Sequence, residues 1–340
     1  MTLHINDFDY PFAPTLIAQV PSPKRDHSRL LVLDRGRGTI EHRIFFEIGD
    51  YLKKGDVLVL NNTKVTPCRL VGRKYRTGGH AELLLIRRIK DDTWEAMPGG
   101  RLRPGTKIIF SPSCWCEVRE RNAEHVVIEF FYEGDWNSQL SKIGRVPIPP
   151  YIKRNSLEED REWYQTVYAS EEGAVAAPTA GMHFTEELLH SLSSKGIKIT
   201  FITLHVGLGT FTPVKVEWIE GHKMSYECFD VGSDTIELIQ KAKMNNHRVV
   251  AVGTTSVRAL EQAAIGGGIF ADRGKTDMFI FPGFKFNVVD SIITNFHLPK
   301  STLLMLIMAF AGRENILKAY EEAVKLKYRF YSYGDAMLIV

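Results

Sequence analysis

Between residues 66 and 131 six β-rich runs follow one another with no helical repeat of useful length, and this stretch limits the fold more than any other. The runs are C-R-L-V-G-R-K-Y, A-E-L-L-L-I-R-R-I, W-E-A-M, K-I-I-F, C-W-C-E-V and V-V-I-E-F-F-Y. They are separated by T-G-G, D-D, P-G-G, P-G, S-P-S and R-N-A, residues that each supply a turn conformation. Six short strands at that spacing predict a small barrel or sandwich. Helix-bearing sequence flanks them on both sides, so the stretch reads as an insertion. The expected fold class is therefore mixed α/β. Residues 1–60 and 150–340 form a discontinuous α/β domain, and residues 61–149 form a small all-β, barrel-like inserted domain. The 340 residues suffice for two such cores.

The flanking sequence supplies the α/β part. Residues 30–33 and 57–60 read as short strands, and L-N-N-T-K-V at 60–65 turns directly out of the second through Asn61 and Asn62. G-R-V-P-I-P-P-Y-I-K-R at 144–154 is an extended, basic return segment, because its prolines forbid a helix. Helical spacing of aromatic residues predicts a helix in E-E-D-R-E-W-Y-Q-T-V-Y-A. Beyond it come a buried strand at 197–206, a helix around 236–243, and strand–turn–helix at 248–261. A strand at 277–283 and strand–loop–helix from Ser291 to Gly312 follow. The last of these helices is apolar on all faces and so central. An amphipathic helix carrying Ile316, Leu317, Tyr320 and Val324 comes last.

Composition excludes several classes. Apolar residues make up 44% and charged residues 24%, with a net charge of +3, too mild to decide for or against nucleic acid. The four cysteines, Cys68, Cys114, Cys116 and Cys228, include no C-x-x-C pair, so reduced structural thiols are expected rather than a zinc site. The N-terminus has no apolar signal core, and the longest apolar run, 303–311, falls well short of the ~20 residues of a membrane span. A cytoplasmic protein without membrane contact is expected.

Chemistry concentrates in loops at element boundaries. V-A-A-P-T-A-G-M-H-F-T at 175–185 is shaped by Pro178 and Gly181 and feeds a helix that Thr185 caps and Gly196 ends. H-V-G-L-G-T-F puts His205, Gly207, Gly209 and Thr210 at a strand's C-terminal end. A lone G-x-G without a third glycine is no dinucleotide fingerprint. V-G-T-T-S-V-R places Gly253, Thr254 and Thr255 at a helix N-terminus, an anion or ribose site or simply a capped turn. Thr294, Asn295 and His297 occupy the mouth of another loop. Three histidines, 183, 205 and 297, in matching contexts argue for one shared cleft. A three-histidine metal site lacks ligand spacing within any element, and no metal is expected. The barrel's basic residues either face RNA or merely alternate on a half-exposed sheet.

The motifs L-N-N-T-K-V-T-P-C-R-L, Y-Q-T-V-Y-A, A-A-P-T-A-G-M-H-F-T, L-H-V-G-L-G-T-F, V-G-T-T-S-V-R-A-L-E, T-N-F-H-L-P-K-S-T-L-L-M-L and Y-R-F-Y-S-Y-G-D-A-M-L-I occur in order over nearly the whole chain. Together they closely resemble the S-adenosylmethionine:tRNA ribosyltransferase-isomerase family of the queuosine pathway. Departures are mild: Met182 stands where Leu is usual, Cys68 where Ala is common, and Lys275 where Trp is expected. The resemblance implies that the ribosyl part of S-adenosylmethionine moves to 7-aminomethyl-7-deazaguanine in a tRNA anticodon, leaving epoxyqueuosine, adenine and methionine. S-adenosylmethionine is then a consumed substrate, and no bound cofactor is implied. On this reading His183, His205 and His297 are candidates for acid–base work. Asn61, Thr179, Gly181, Thr185, Gly207, Gly209, Thr210, Thr254, Thr255, Arg258, Thr294 and Asn295 are the substrate-binding candidates. Arg69, Lys74, Arg145, Lys153 and Arg154 are expected to meet the RNA, and a monomer is expected. A conventional RNA methyltransferase and a non-catalytic tRNA-binding protein are the alternatives.

Overall fold

Strands form where β-branched and aromatic residues run together, and in the central sheet those runs are apolar at successive positions. The computed structural model describes residues 2–207, 209 and 214–340. Along the chain come β1 (Arg29–Asp34), β2 (Thr39–Ile44), β3 (Val57–Asn61) and β4 (Thr63–Val65). Next are β5 (Arg69–Lys74), β6 (His80–Lys90), β7 (Thr93–Pro98), β8 (Lys107–Ser111), β9 (Cys114–Arg121), β10 (Val126–Tyr132), α1 (Trp136–Ile143), β11 (Gly144–Arg145) and the single turn α2 (Asp160–Trp163). Then follow β12 (Glu171–Ala174), α3 (Glu186–Ser194), β13 (Lys198–Leu204), β14 (Glu227–Val231), α4 (Ser233–Met244), β15 (Val249–Val252) and α5 (Thr254–Gln262). The chain ends with β16 (Asp272–Thr276), β17 (Ser291–Asn295), α6 (Thr302–Ala311), α7 (Arg313–Lys325) and β18 (Ala336–Ile339).

Two units result: Met1–Lys64 with Pro149–Arg154 and Trp163–Val340, and Val65–Ile148 with Asn155–Glu162. The larger unit is mixed α/β. Its nine-stranded sheet has the order β16-β14-β13-β3-β15-β17-β18-β1-β2. Pairing is parallel for β13–β3, β3–β15, β15–β17 and β18–β1, and antiparallel elsewhere. Strand alternation splits the core in two. Leu31, Leu33, Val57, Val59, Val249, Ala251 and Ile292 pack with Ile239, Val257, Leu260, Leu304, Ile307 and Ile316. Leu30, Val32, Leu58, Leu60, Val250, Val252 and Ile293 pack with Phe45, Ile48, Leu188 and Leu192 on the other face. Burial on both faces is why these strands read as unbroken apolar runs. The apolar helix α6 is capped by Ser301, whose hydroxyl accepts from the Leu304 N–H, and ends at Gly312 with φ +83°.

The smaller unit contains a closed antiparallel barrel of order β5-β6-β7-β10-β9-β8, sealed by β5 against β8. Gly72 permits that closure: a Cβ there would stand 2.6 Å from the Ile109 carbonyl oxygen. Leu70, Leu83, Leu85, Ile108, Val118, Ile128 and Phe130 fill the interior. Cys114 and Cys116 are buried while Trp115 between them is half-buried, so C-W-C is strand alternation rather than a ligand pair. Burial raises the Cys114 thiol to about 11 and Cys68 to about 12, which keeps both in the unreactive thiol form.

Several expectations are corrected. The segment 155–162 groups with the barrel rather than with the α/β unit. The helix expected over E-E-D-R-E-W-Y-Q-T-V-Y-A is one turn, Asp160–Trp163, because Tyr164 packs on Tyr333 and Tyr168 on Phe201, and these partners override helical spacing. The strand expected at 277–283 does not form. Pairing stops at Thr276, since its partner Glu227 is the first residue of β14. Phe279 and Phe281 pack instead against the core.

Candidate active site

The parallel strands β3, β13, β15 and β17 point their C-terminal ends one way, and a cleft lies beyond them. That is where open α/β sheets place ligands, because loops and helix N-termini face it. The cleft encloses about 800 Å³ of atom-free space, counting the solvent at its mouth. One wall is small and apolar: Ala176, Ala177, Pro178 and Ala180. The lining also carries Thr179, Thr254, Thr255, Thr294, Thr302 and Ser332, and Tyr151, Tyr164, Phe296 and Tyr331 supply aromatic surface. Tyr331 is held at φ +71° in the turn before β18, with its N–H on the Phe296 carbonyl.

Gly253 turns the chain from β15 into α5 with φ +87° and ψ 151°, a conformation that disfavours a Cβ. No side chain caps α5. Its first-turn N–H groups and the positive end of its dipole are therefore offered at the cleft. Thr254 and Arg258, one turn apart on that helix, both line it.

Asn295, at the end of β17, is fixed by three contacts. Its Nδ2 donates to the Tyr331 carbonyl at 3.0 Å and meets His183 Nε2 at 3.2 Å, and its Oδ1 accepts from the Thr179 hydroxyl at 3.2 Å. The carbonyl partner sets the orientation of the amide, so Nδ2 is the donor and His183 Nε2 must accept. The His183 proton then sits on Nδ1, 2.7 Å from Ser28 Oγ. The ring packs on Phe45, centroids 5.0 Å apart. Burial lowers the imidazole to about 4, opposed by the Asp335 carboxylate and reinforced by Arg329 and Arg25. His183 is thus neutral with both nitrogens engaged. It buttresses Asn295 from behind the cleft wall and does not line it.

His297 does line the cleft. Thr294 Oγ1 meets its Nε2 at 2.9 Å, and its backbone is held by Tyr10 and Tyr320 hydroxyls. Burial depresses it to about 3, so it too is neutral near pH 7. His205 lies apart. Its Nδ1 meets Thr63 Oγ1 at 2.8 Å, Gly173 packs against its ring, and burial lowers its pKa, opposed by Glu171. The three histidines therefore do not converge as a triad. Among the described residues no three His, Cys, Asp or Glu side chains gather to hold a metal ion.

The remaining candidates divide. Arg258, only 5% exposed, pairs through Nη2 with Glu227 Oε2, and Glu227 Oε1 accepts from Gly207 N at 2.9 Å. Asn61 is fully buried, with its amide spent on Leu204, Thr63 and Thr255 Oγ1, so it ties β3 to β13 and α5 without reaching the cleft. Thr185 is a helix cap accepting from Leu188 N. Gly181 lies in the buried turn Thr179–His183 beneath the Tyr168 hydroxyl. Gly209 packs on Ser225, and Thr210 lies outside the described residues. Of the basic candidates, Arg69 and Arg145 are cross-strand neighbours on the barrel unit, but Arg69 is neutralised by Glu82 at 2.7 Å. Lys74 reaches the Arg101 carbonyl, while Lys153 and Arg154 contact Gln19 within the α/β unit. Sequence reasoning missed Glu227, Tyr151, Tyr331 and Ser332. The F-Y-S-Y-G turn was the available signal for the last two; Glu227 carried none.

Fold and cleft define a mixed α/β protein with a closed β-barrel unit and a hydroxyl- and amide-lined ligand cleft at the strand C-termini. The chain belongs to the queuosine biosynthesis protein family, whose model matches residues 5–339. It is 52% identical over 340 residues to the S-adenosylmethionine:tRNA ribosyltransferase-isomerase of Sulfurihydrogenibium sp. (strain YO3AOP1), covering 99% of this chain and 100% of that one. It is also similar to the crystal structure of S-adenosylmethionine tRNA ribosyltransferase from Thermotoga maritima, at 37% identity and a TM-score of 0.58, covering 98% of this chain and 100% of that one.

Proposed function

We propose that this protein transfers the ribosyl moiety of S-adenosylmethionine to 7-aminomethyl-7-deazaguanine in a tRNA anticodon and isomerises it to epoxyqueuosine. The full-length likeness to the named ribosyltransferase-isomerase carries this reading, and the chemistry of the cleft supports it. The sulfonium acidifies C5′, so a base removes that proton to give an ylide. The neutral aminomethyl nitrogen forms the new C–N bond. The bonds from the ribosyl carbons to adenine and to sulfur break, and methionine leaves as a neutral thioether. Adenine takes up one proton, and one proton is released overall.

In this scheme the aromatic walls take the adenine face, and Thr179, Thr254, Thr294 and the Asn295 amide hold the ribose hydroxyls. His297 touches the substrate as a neutral hydrogen-bonding group. His183 is a positioning residue, because the imidazole is neutral and both nitrogens are committed. His205 holds Thr63 and the chain around it. S-adenosylmethionine is a consumed substrate, so no resident cofactor takes part. Lys74, Arg145, Lys153 and Arg154 contribute phosphate contacts to the tRNA, while Arg69 stays paired with Glu82. The protein acts in the cytoplasm, where its tRNA is, and as a monomer. Among the described residues no helix is long and apolar enough to cross a membrane.

Mass spectrometry of a reaction of protein, S-adenosylmethionine and tRNA carrying the aminomethyl base is the test. Adenine, methionine and epoxyqueuosine-tRNA are expected. S-adenosylhomocysteine would identify a methyltransferase, and bound tRNA without turnover would identify a binding protein. Either outcome ends this reading.

A further inference from the structure

Arg258 carries an unused donor. One arm of the guanidinium pairs with Glu227, yet Nη1 is cut off from water and has no hydrogen-bond partner among the described residues. Both carboxylate oxygens of Glu227 are already committed, one to Arg258 and one to the Gly207 N–H. A buried cationic donor left unpaired is costly, and the cost is relieved only when an acceptor arrives. Arg258 lines the cleft, on the same face of α5 as Thr254 and one turn after it. Helical side chains lean toward the N-terminus of their helix, and Arg258 shares the cleft lining with Thr254 and Thr255 of the uncapped first turn of α5. All of these groups donate: the guanidinium N–H and the first-turn N–H groups at the positive end of the dipole.

We propose that Arg258 and the N-terminus of α5 form an oxyanion subsite that takes the methionyl carboxylate of S-adenosylmethionine. This rests on the reading above that S-adenosylmethionine is the substrate, whose only anionic group is that carboxylate. The subsite anchors the amino-acid end of the substrate and leaves the sulfonium and ribose to the Asn295–His297 side. A phosphate of the tRNA offers the same oxyanion chemistry from another source.

Calorimetric titration of the full chain with S-adenosylmethionine and with its decarboxylated analogue distinguishes them. The wild type is expected to prefer S-adenosylmethionine at least tenfold. The charge-free pair Arg258→Met/Glu227→Gln, which leaves no buried charge, is expected to bind both within twofold of each other. Arg258→Lys keeps the charge but not the planar fork. It serves if the double variant does not fold, and it is expected to lose at least fivefold for S-adenosylmethionine and under twofold for the analogue. A wild type that consumes S-adenosylmethionine without preferring it overturns the subsite alone. So does a double variant that keeps the preference, or one that loses tRNA affinity while keeping it, which assigns Arg258 to phosphate. A wild type that neither binds nor consumes S-adenosylmethionine removes the functional reading, and the subsite with it.

Discussion

Asn295 shows how one side chain is made into a fixed wall. Its amide has a carbonyl, an imidazole and a hydroxyl for partners, and the carbonyl excludes the flipped orientation. His183→Ala removes the acceptor at Nε2 and leaves Asn295 held by the Tyr331 carbonyl and the Thr179 hydroxyl alone. Turnover is then expected to fall about 10²-fold, the scale of a ~1 Å misplacement. His183→Gln, which still accepts there, should recover most of that loss. Neither variant should move the pH–rate profile near neutrality, because His183 is already neutral there; an acidic limb displaced in that range would make it an acid–base residue after all. His297→Ala is expected to cost about 10²- to 10³-fold in turnover, the scale of one preorganised hydrogen bond, with S-adenosylmethionine affinity changed far less. Steady-state kinetics and titration read both, and a full-rate His297→Ala enzyme would remove that residue from the mechanism.

At the scale of the element, β15 and α5 were legible as strand, tight turn and helix because V-V-A-V, Gly and T-T-S each have a local conformational preference. Gly253 occupies a backbone region that costs other residues about 1–3 kcal/mol. Gly253→Ala has room for its methyl, the nearest atoms being 3.5 Å and 3.7 Å away, so the loss should reflect backbone strain alone. Urea unfolding is expected to show that loss. Gly232, the N-cap of α4 at an ordinary φ of −71°, provides the contrast. Gly232→Ser should leave stability unchanged or raise it by a few tenths of a kcal/mol. Equal losses at both glycines would refute the strain argument. The short helix at 158–169 and the strand at 277–283 were misread for a common reason. Spacing and apolarity were right for each, but the neighbours that an element needs are set by distant chain: Tyr333 and Phe201 in one case, the start of β14 in the other.

For the whole molecule, two buried neutral histidines make stability depend on acidity. In the folded state His183 titrates near 4 and His297 near 3, against about 6.5 when unfolded. Above pH 6.5 neither state binds the proton and the histidines contribute no slope. Below it the unfolded chain takes up protons that the folded chain refuses. Stability should therefore fall by up to about 1.4 kcal/mol per pH unit per histidine, down to about pH 4. Denaturant titrations at pH 7, 6 and 5 measure this, and His183→Gln should remove one share. A flat response between pH 7 and 5 would mean that the histidines are not buried neutral. The sequence alone determined the class of fold, the six barrel strands, the helix caps and the loops around the cleft, because those follow from local backbone preference and strand or helix periodicity. The tertiary structure alone decided that His183 stands behind the wall and His205 away from it, that Asn61 is spent on packing, and that Glu227 leaves one arm of Arg258 free. Such roles depend on which side chains from distant segments meet, and no local spacing encodes that.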